Sequence, residues 1–218
     1  NEFVEGGHIQ CAVNARTGFE DRFPAQSAPA KAAKRIAVVG AGPAGIVCAV
    51  EAAHRGHTVE LFEKEEAVGG KVAPGSVPAI KFDFGNYLAW LRKELDEAQK
   101  MPNFTFRPHT EASVADLKAQ GYDAIVFAVG TQNACPPIPG LEKMRTVQGV
   151  DLLKNPSLLG DAKKVVVAGG GVVGCETAYY LAYERGCQVS VVEMLNNFMQ
   201  GACTANRAPS TPLPASTA

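Results

Sequence analysis

No charge of one sign dominates this sequence: 21 Lys and Arg stand against 22 Asp and Glu, a net charge of −1. A near-neutral chain without a basic run argues against nucleic acid as the main partner. Cysteine occurs six times, at 11, 48, 135, 175, 187 and 203, yet never as CxxC. That spacing matches neither a disulfide framework nor a complete metal site, and it fits a reduced, cytoplasmic setting. Long apolar runs are missing too, since a membrane span needs about 18 residues. The longest candidate, Ile36 to Val50, is broken by three glycines and a proline. Nothing resembles the charged and apolar regions of a secretory leader. Neither a Ser-His-Asp pattern nor HExxH is visible. The first residue is Asn, not Met, so the chain is expected to be a piece of something longer.

What remains is an ordinary globular composition. With 218 residues, 46% hydrophobic and 20% charged, one or two domains with a sizeable core are expected. Residues 1–33 lack periodicity and read as an irregular lead-in. Residues 206–218, NRAPSTPLPASTA, are small, polar and proline-rich, and are expected to be disordered. Between these ends the chain repeats itself. KRIAVVGAGPAGIVCAVEAAHRGHTVELFE (34–63) and KKVVVAGGGVVGCETAYYLAYERGCQVSVVE (163–193) share one plan. Each has a β-branched run, a glycine-rich turn, an Ala-rich helical stretch ending at Arg-Gly, and a second β-branched run ending in Glu. Strand, tight turn, helix and strand make a βαβ unit with parallel strands. The predicted fold class is α/β with two Rossmann-type dinucleotide-binding units.

Between the copies, residues 86–100 carry apolar residues at 88, 91 and 95, a helical spacing, with Asn86 as its cap and Trp90 as a core residue. Residues 103–107 are a candidate strand. Residues 111–119 lead through a strand or turn into a helix, and DAIVFAVG (123–130) is a buried strand. PPIPG (136–140) ends it and marks a domain crossing.

In Gly40-Ala41-Gly42-Pro43-Ala44-Gly45 the glycines have different steric tasks. Gly40 permits the tight turn, Gly42 lets a pyrophosphate approach the backbone, and Gly45 lets the helix lie close to the strand. Pro43 and Ala44 open the helix, whose N-terminus offers N–H groups and partial positive charge to phosphates. Glu63, 18 residues after Gly45, ends the second strand where a carboxylate can accept ribose hydroxyls. Gly169, Gly171, Val172, Val173, Gly174 and Glu193 repeat every element. An acid at this place suits a free 2′-hydroxyl and repels a 2′-phosphate, so Glu193 favours NADH over NADPH. The alternatives are two glycine turns without ligand and a solvated strand-end carboxylate.

The motif series is more specific than either turn. GAGPAG with Glu63, VGGK (68–71), AVGTQNACPPIPG (128–140) and GGGVVGCE (169–176) together resemble the two-dinucleotide flavoproteins over roughly residues 34–205. That resemblance implies FAD at the first fingerprint and NAD(P)H at the second. It places Lys64, Gly70 and Lys71 by the FAD nucleotide, and Ala128, Val129, Gly130 and Thr131 at the strand end passing the flavin nucleotide. Glu176 falls where members often set an acid near the nicotinamide. Lys71 reads equally as a surface lysine. The implied division is an FAD-binding domain over 34–150 and an NAD(H)-binding domain over 151–205, both partial.

Cys11-Ala-Val-Asn-Ala-Arg-Thr-Gly and MLNNFMQGACTANR (194–207) are similar to segments of the iron–sulfur NADH:flavin oxidoreductases, the 2-enoate and 2,4-dienoyl-CoA reductases. There the residue matching Cys11 is the last of four ligands to a [4Fe–4S] cluster, and a barrel domain with FMN carries the substrate site. The resemblance therefore implies hydride transfer from NADH to FAD here, and cluster, FMN and barrel only in a full-length protein. This chain departs from the pattern: the barrel and the three other cluster cysteines are absent, and one thiol cannot hold a cluster built on four. Two other readings stay open, an electron-transfer partner of the glutamate-synthase small-subunit type and an inactive nucleotide-binding fragment. A dithiol relay is disfavoured, because Cys48 has no cysteine within five residues. Cys175 and Cys187 read as packing residues, as do Tyr179 and Tyr180. His54 and His57 read as groups at a helix end, and His8 and His109 show no partner pattern.

Overall fold

The computed structural model describes residues 11–25 and 27–200. His8, Cys203 and the tail from 206 lie outside the described residues. The chain divides into two compact units, one running to Lys154 and the other beginning at Asn155. The turn at 136–140, expected as a crossing, lies inside the first.

The first unit is built on a parallel four-stranded sheet. Its strands are β1 (Arg35–Val39), β2 (Thr58–Phe62), β3 (Phe104–Arg107) and β4 (Ala124–Phe127), in the order β3-β2-β1-β4. Register is Ile36 opposite Val59, Val59 opposite Phe104 and Ile36 opposite Ala124. Because side chains alternate across a strand, Ile36, Val38, Val59 and Leu61 face one side. There they pack with helices α1 (Pro43–His54) and α3 (Phe82–Ala98), through Ile46, Ala49, Val50, Ala53, Leu91 and Leu95. A one-turn helix α2 (Val72–Gly75) precedes α3.

On the opposite side Ala37 and Phe62 meet Leu117 of α4 (Val114–Ala119). Ser113 caps α4 by accepting the Asp116 N–H at 3.1 Å. The same sheet face carries charge: Arg35 bonds the Glu60 carboxylate at 2.8 Å, and its guanidinium stands 4.2 Å from the centre of the Tyr122 ring. A short helix α5 (Gly149–Lys154) closes the unit.

In the first unit the helix before β3, its tryptophan and the last strand depart from expectation. The helix expected over 86–100 begins at Phe82, so Asn86 lies in its second turn and caps nothing. Asp83 favours the helix dipole, and Lys81 lies over the Phe84 ring at 4.4 Å, which together extend the first turn. Trp90 is not a core residue. It is 39% exposed and stacks on Tyr87 at 5.7 Å, one position away from the inward stripe of Leu88, Leu91 and Leu95. The buried strand expected over 123–130 is shorter, Ala124–Phe127, and only half-buried, with Phe127 exposed; past its end Gly130 takes φ +68°.

Asn103 closes the far end of α1. Its side-chain amide donates to the carbonyls of Ala53 (2.9 Å), which also accepts the Gly56 N–H, and of His57 (2.8 Å), just beyond the helix. His57 in turn accepts the Lys34 N–H at 3.1 Å.

The second unit repeats strand, helix and strand. β5 (Lys164–Ala168) pairs in parallel with β6 (Gln188–Val192), Lys164 opposite Gln188. Helix α6 (Val172–Tyr179) runs into a wider π turn at Tyr180–Glu184. Tyr180 and Leu181 are buried by that turn, whereas Tyr179 stays exposed and stacks on Tyr183 at 5.3 Å. Packing is thus right for Tyr180 and wrong for Tyr179.

Leu91 is fully buried and Trp90 is not. Leu91→Ala is expected to destabilise the first unit by about 2–5 kcal/mol through lost burial and a residual cavity. Trp90→Ala should cost clearly less, and urea unfolding of the two variants checks the order.

Candidate functional site

Each unit carries a glycine turn between its first strand and its helix, and the two turns share one geometry. Gly40 has φ +102° and Gly169 φ +110°, a region that L side chains rarely adopt. Gly42 and Gly171 are extended, with φ −76° and −70°, and each sits at a helix N-cap without a side-chain cap. Pro43 then occupies the first helical position of α1, where its missing N–H costs nothing.

The last glycine of each turn is required by contact alone. A Cβ on Gly45 would run into the Gly40 carbonyl, and one on Gly174 into the Gly169 carbonyl. Gly40 is also confined from the strand side, since a Cβ there would come within 2.5 Å of the Ala128 carbonyl oxygen. Ala128 and Val129 therefore border the first turn, while Gly130 and Thr131 lie beyond it and are exposed.

The middle glycines behave differently. A Cβ on Gly171 would meet nothing within 4 Å, and one on Gly42 would meet only the Gly70 Cα at 3.9 Å. Protein packing does not demand glycine here. Both helix N-termini thus present uncapped N–H groups to an open cradle that a Cβ would begin to fill. That arrangement fits a pyrophosphate.

Glu63 and Glu193 tie the turns together. The Ala41 N–H donates to Glu63 Oε2 at 2.7 Å and the Glu65 N–H to Oε1 at 2.9 Å. The Gly170 N–H donates to Glu193 Oε2 at 2.6 Å and the Leu195 N–H to Oε1 at 2.8 Å. The Leu195 and Gly170 amides hold the Glu193 carboxyl below its ordinary value of 4.5. An ionised carboxylate oxygen holding one N–H keeps a second acceptor site, so a ribose hydroxyl can still be bound.

Around the first turn, Gly70 lies against Gly42, and Lys71 donates to Asn133 Oδ1 at 2.8 Å. Lys64 is exposed beside Glu63, and Glu176 lies within α6. Val172 and Val173 open α6, Val173 largely exposed.

Sequence reasoning singled out Lys64, VGGK (68–71) and 194–207 but did not foresee that the chain after each glutamate bonds back to its glycine turn. Six residues after Glu63, the Gly69 N–H donates to the Ala41 carbonyl at 2.8 Å. Six residues after Glu193, the Met199 N–H donates to the Gly170 carbonyl at 2.7 Å. Asn133 carried no signal apart from its place in the AVGTQN segment.

The cysteines divide by environment. Burial pushes the Cys48 and Cys175 thiols up, and Cys187 is buried. Cys11 is exposed, and the Asn14 N–H on its sulfur lowers its pKa. Among the described residues no three His, Cys, Asp or Glu gather as a metal site. The described residues do not gather the thiolates that a cluster takes. No helix among the described residues is long and apolar enough to cross a membrane.

Comparison with known proteins places these features in one family. Residues 34–208 match the family model described as pyridine nucleotide-disulphide oxidoreductase. The chain is 38% identical over 192 residues to an NADH oxidase of Thermoanaerobacter brockii, covering 87% of this chain and 28% of that one. It is 34% identical to a cinnamate reductase of Clostridium sporogenes, covering 88% of this chain and 27% of the other. Among solved structures, 2-naphthoyl-CoA reductase in complex with 2-naphthoyl-CoA superposes with a TM-score of 0.80 at 32% identity, covering 91% of this chain and 29% of that one. The chain thus spans less than a third of the length of these relatives.

Because the Glu193 carboxyl is held below 4.5 in the folded chain, its contribution to stability is present above that value. It is lost as pH falls through the lower folded value. Protection of the Gly170 and Leu195 amides, measured as the exchange rate relative to the intrinsic rate at each pH, is expected to fall over that acid window. In Glu193→Gln this pH dependence should disappear.

Proposed function

The chain belongs to the pyridine nucleotide-disulphide oxidoreductase family, and from that premise we propose that it is the FAD- and NADH-binding electron-transfer module of an NADH-dependent flavin oxidoreductase of the enoate reductase kind. One observation carries the reading: a glycine turn, an uncapped helix N-terminus and a carboxylate bonded to the turn occur together, twice. When bound, NADH would supply a hydride and FAD would accept it.

The chain's own part is binding and orientation. Gly40, Gly42 and Gly45 would hold the FAD pyrophosphate at the α1 N-terminus, with Pro43 and Ala44 in its first turn. Glu63 would take the ribose, with Lys64 beside it. Gly70 and Lys71 would flank the phosphates, and Lys71 is already steered by Asn133. Ala128, Val129, Gly130 and Thr131 would border the flavin nucleotide. In the second unit Gly169, Gly171 and Gly174, with Val172 and Val173 opening the helix, would hold NADH. Glu193 would bind its ribose and Glu176 would stand toward the nicotinamide.

The choice of NADH over NADPH is supported by Glu193 and by the four residues after it. Met194, Leu195, Asn196 and Asn197 bring no cation to pair with a 2′-phosphate. The small share of each relative's length that the chain spans supports its working beside further domains. An FMN-containing barrel with the substrate site is the partner proposed.

Incubated with FAD and desalted, the purified chain is expected to be yellow, and anaerobic NADH should bleach it. A chain that stays colourless overturns the flavin site, and a yellow chain that NADH does not bleach overturns the hydride step. Each cofactor at about 100 times its Kd should raise unfolding stability by about 2.7 kcal/mol.

A further inference from the structure

In both units the segment after the glutamate returns to the glycine turn as a strap, 64–69 in the first and 194–199 in the second. The backbone closure is the same in each, the N–H of the sixth residue bonding the carbonyl next to the first glycine. The side chains that fill the closure are exchanged. In the first unit Ala41 is fully buried and Val68 packs against the same core. In the second, residue 170 is glycine, and a Cβ there would collide with the Phe198 ring. Gly170 is not among the residues with positive φ. Its lack of a side chain is therefore set by its neighbours, the ring first and the Glu193 Cβ at 3.0 Å second, and not by its own backbone conformation.

The closing residue differs as well. Gly69 holds φ +105° at no steric cost, whereas Met199 holds φ +54° as a non-glycine residue. That conformation is disfavoured for a side-chain-bearing residue. The second strap therefore closes against a backbone penalty that the first avoids. Phe198 is the contact next to it that can offset this penalty. The ring is 54% exposed, so it does not serve as a core residue.

We propose that Phe198 is a positioning residue of the second dinucleotide site, its ring on Gly170 holding the 194–199 strap closed beside the cradle. This rests on the reading of that cradle as the NADH site. Leu195, whose N–H bonds the Glu193 carboxylate, belongs to the strap's first turn, so an opened strap also loosens the carboxylate assigned to the ribose.

The test is NADH titration of the full chain followed by its fluorescence, together with hydrogen exchange at the Leu195 and Met199 amides. Phe198→Ala should weaken NADH binding about tenfold, equivalent to about 1.4 kcal/mol, and speed exchange at both amides. Gly170→Ala should do the same by displacing the ring. The double variant Gly170→Ala with Phe198→Val recreates the Ala41 and Val68 pair and should restore both readouts. Met199→Gly removes the backbone penalty and should shrink the effect of Phe198→Ala.

Unaltered affinity in Phe198→Ala overturns the positioning role, as does a double variant no better than its parents. If the unaltered chain binds no NADH, the reading of the cradle falls and the positioning role falls with it. Exchange at the two amides then still shows whether ring and strap are coupled.

Discussion

The distance between the first helix and the strand before it governs both units. At Gly45 and Gly174 the helix backbone lies so close to the preceding turn that any side chain would enter a carbonyl. That approach fixes where the helix begins and how its N-terminus is aimed. It also decides which groups can reach the end of the second strand, including the carboxylate that bonds back to the turn. Without it, helix, turn and glutamate would still exist as separate pieces, and their shared cradle would not.

Much of this was legible in the sequence because it depends on local chemistry. The glycine spacing, the β-branched runs and the terminal acids each imply one conformation, and they agree with one another. The inward stripe Leu88, Leu91 and Leu95 was legible by period. The start of its helix was not, because Asp83 and the Lys81–Phe84 contact hold the first turn through a charge and a ring rather than by pattern. Trp90 was misplaced because size suggested burial, whereas the helix phase turns it outward. The straps were invisible because their closure is made by backbone N–H groups, and hydrophobic periodicity does not report these. In the second copy even the glycine signal is gone, since Met199 stands at the place of Gly69.

The two units show how one backbone solution tolerates different fillings. A methyl and a small branched side chain in one are answered by a bare backbone and an aromatic ring in the other. The exchange keeps the cradle shape and changes the surface beside it. Exposed apolar side chains such as Phe198 and Met194 flank the second turn, whereas the first turn is flanked by Lys64 and Lys71. Charge and apolar surface are therefore divided between two otherwise matching turns.

Asn103 sets an order on how the first unit comes together. Its side chain is the partner of two carbonyls at and just beyond the end of α1, yet it arrives 50 and 46 residues later in the chain. Until that loop closes, the strand–helix–strand segment lacks these two bonds. Loop closure of this length costs entropy before any contact repays it. The segment that looks most autonomous in sequence thus takes part of the bonding at its helix end from a residue outside itself.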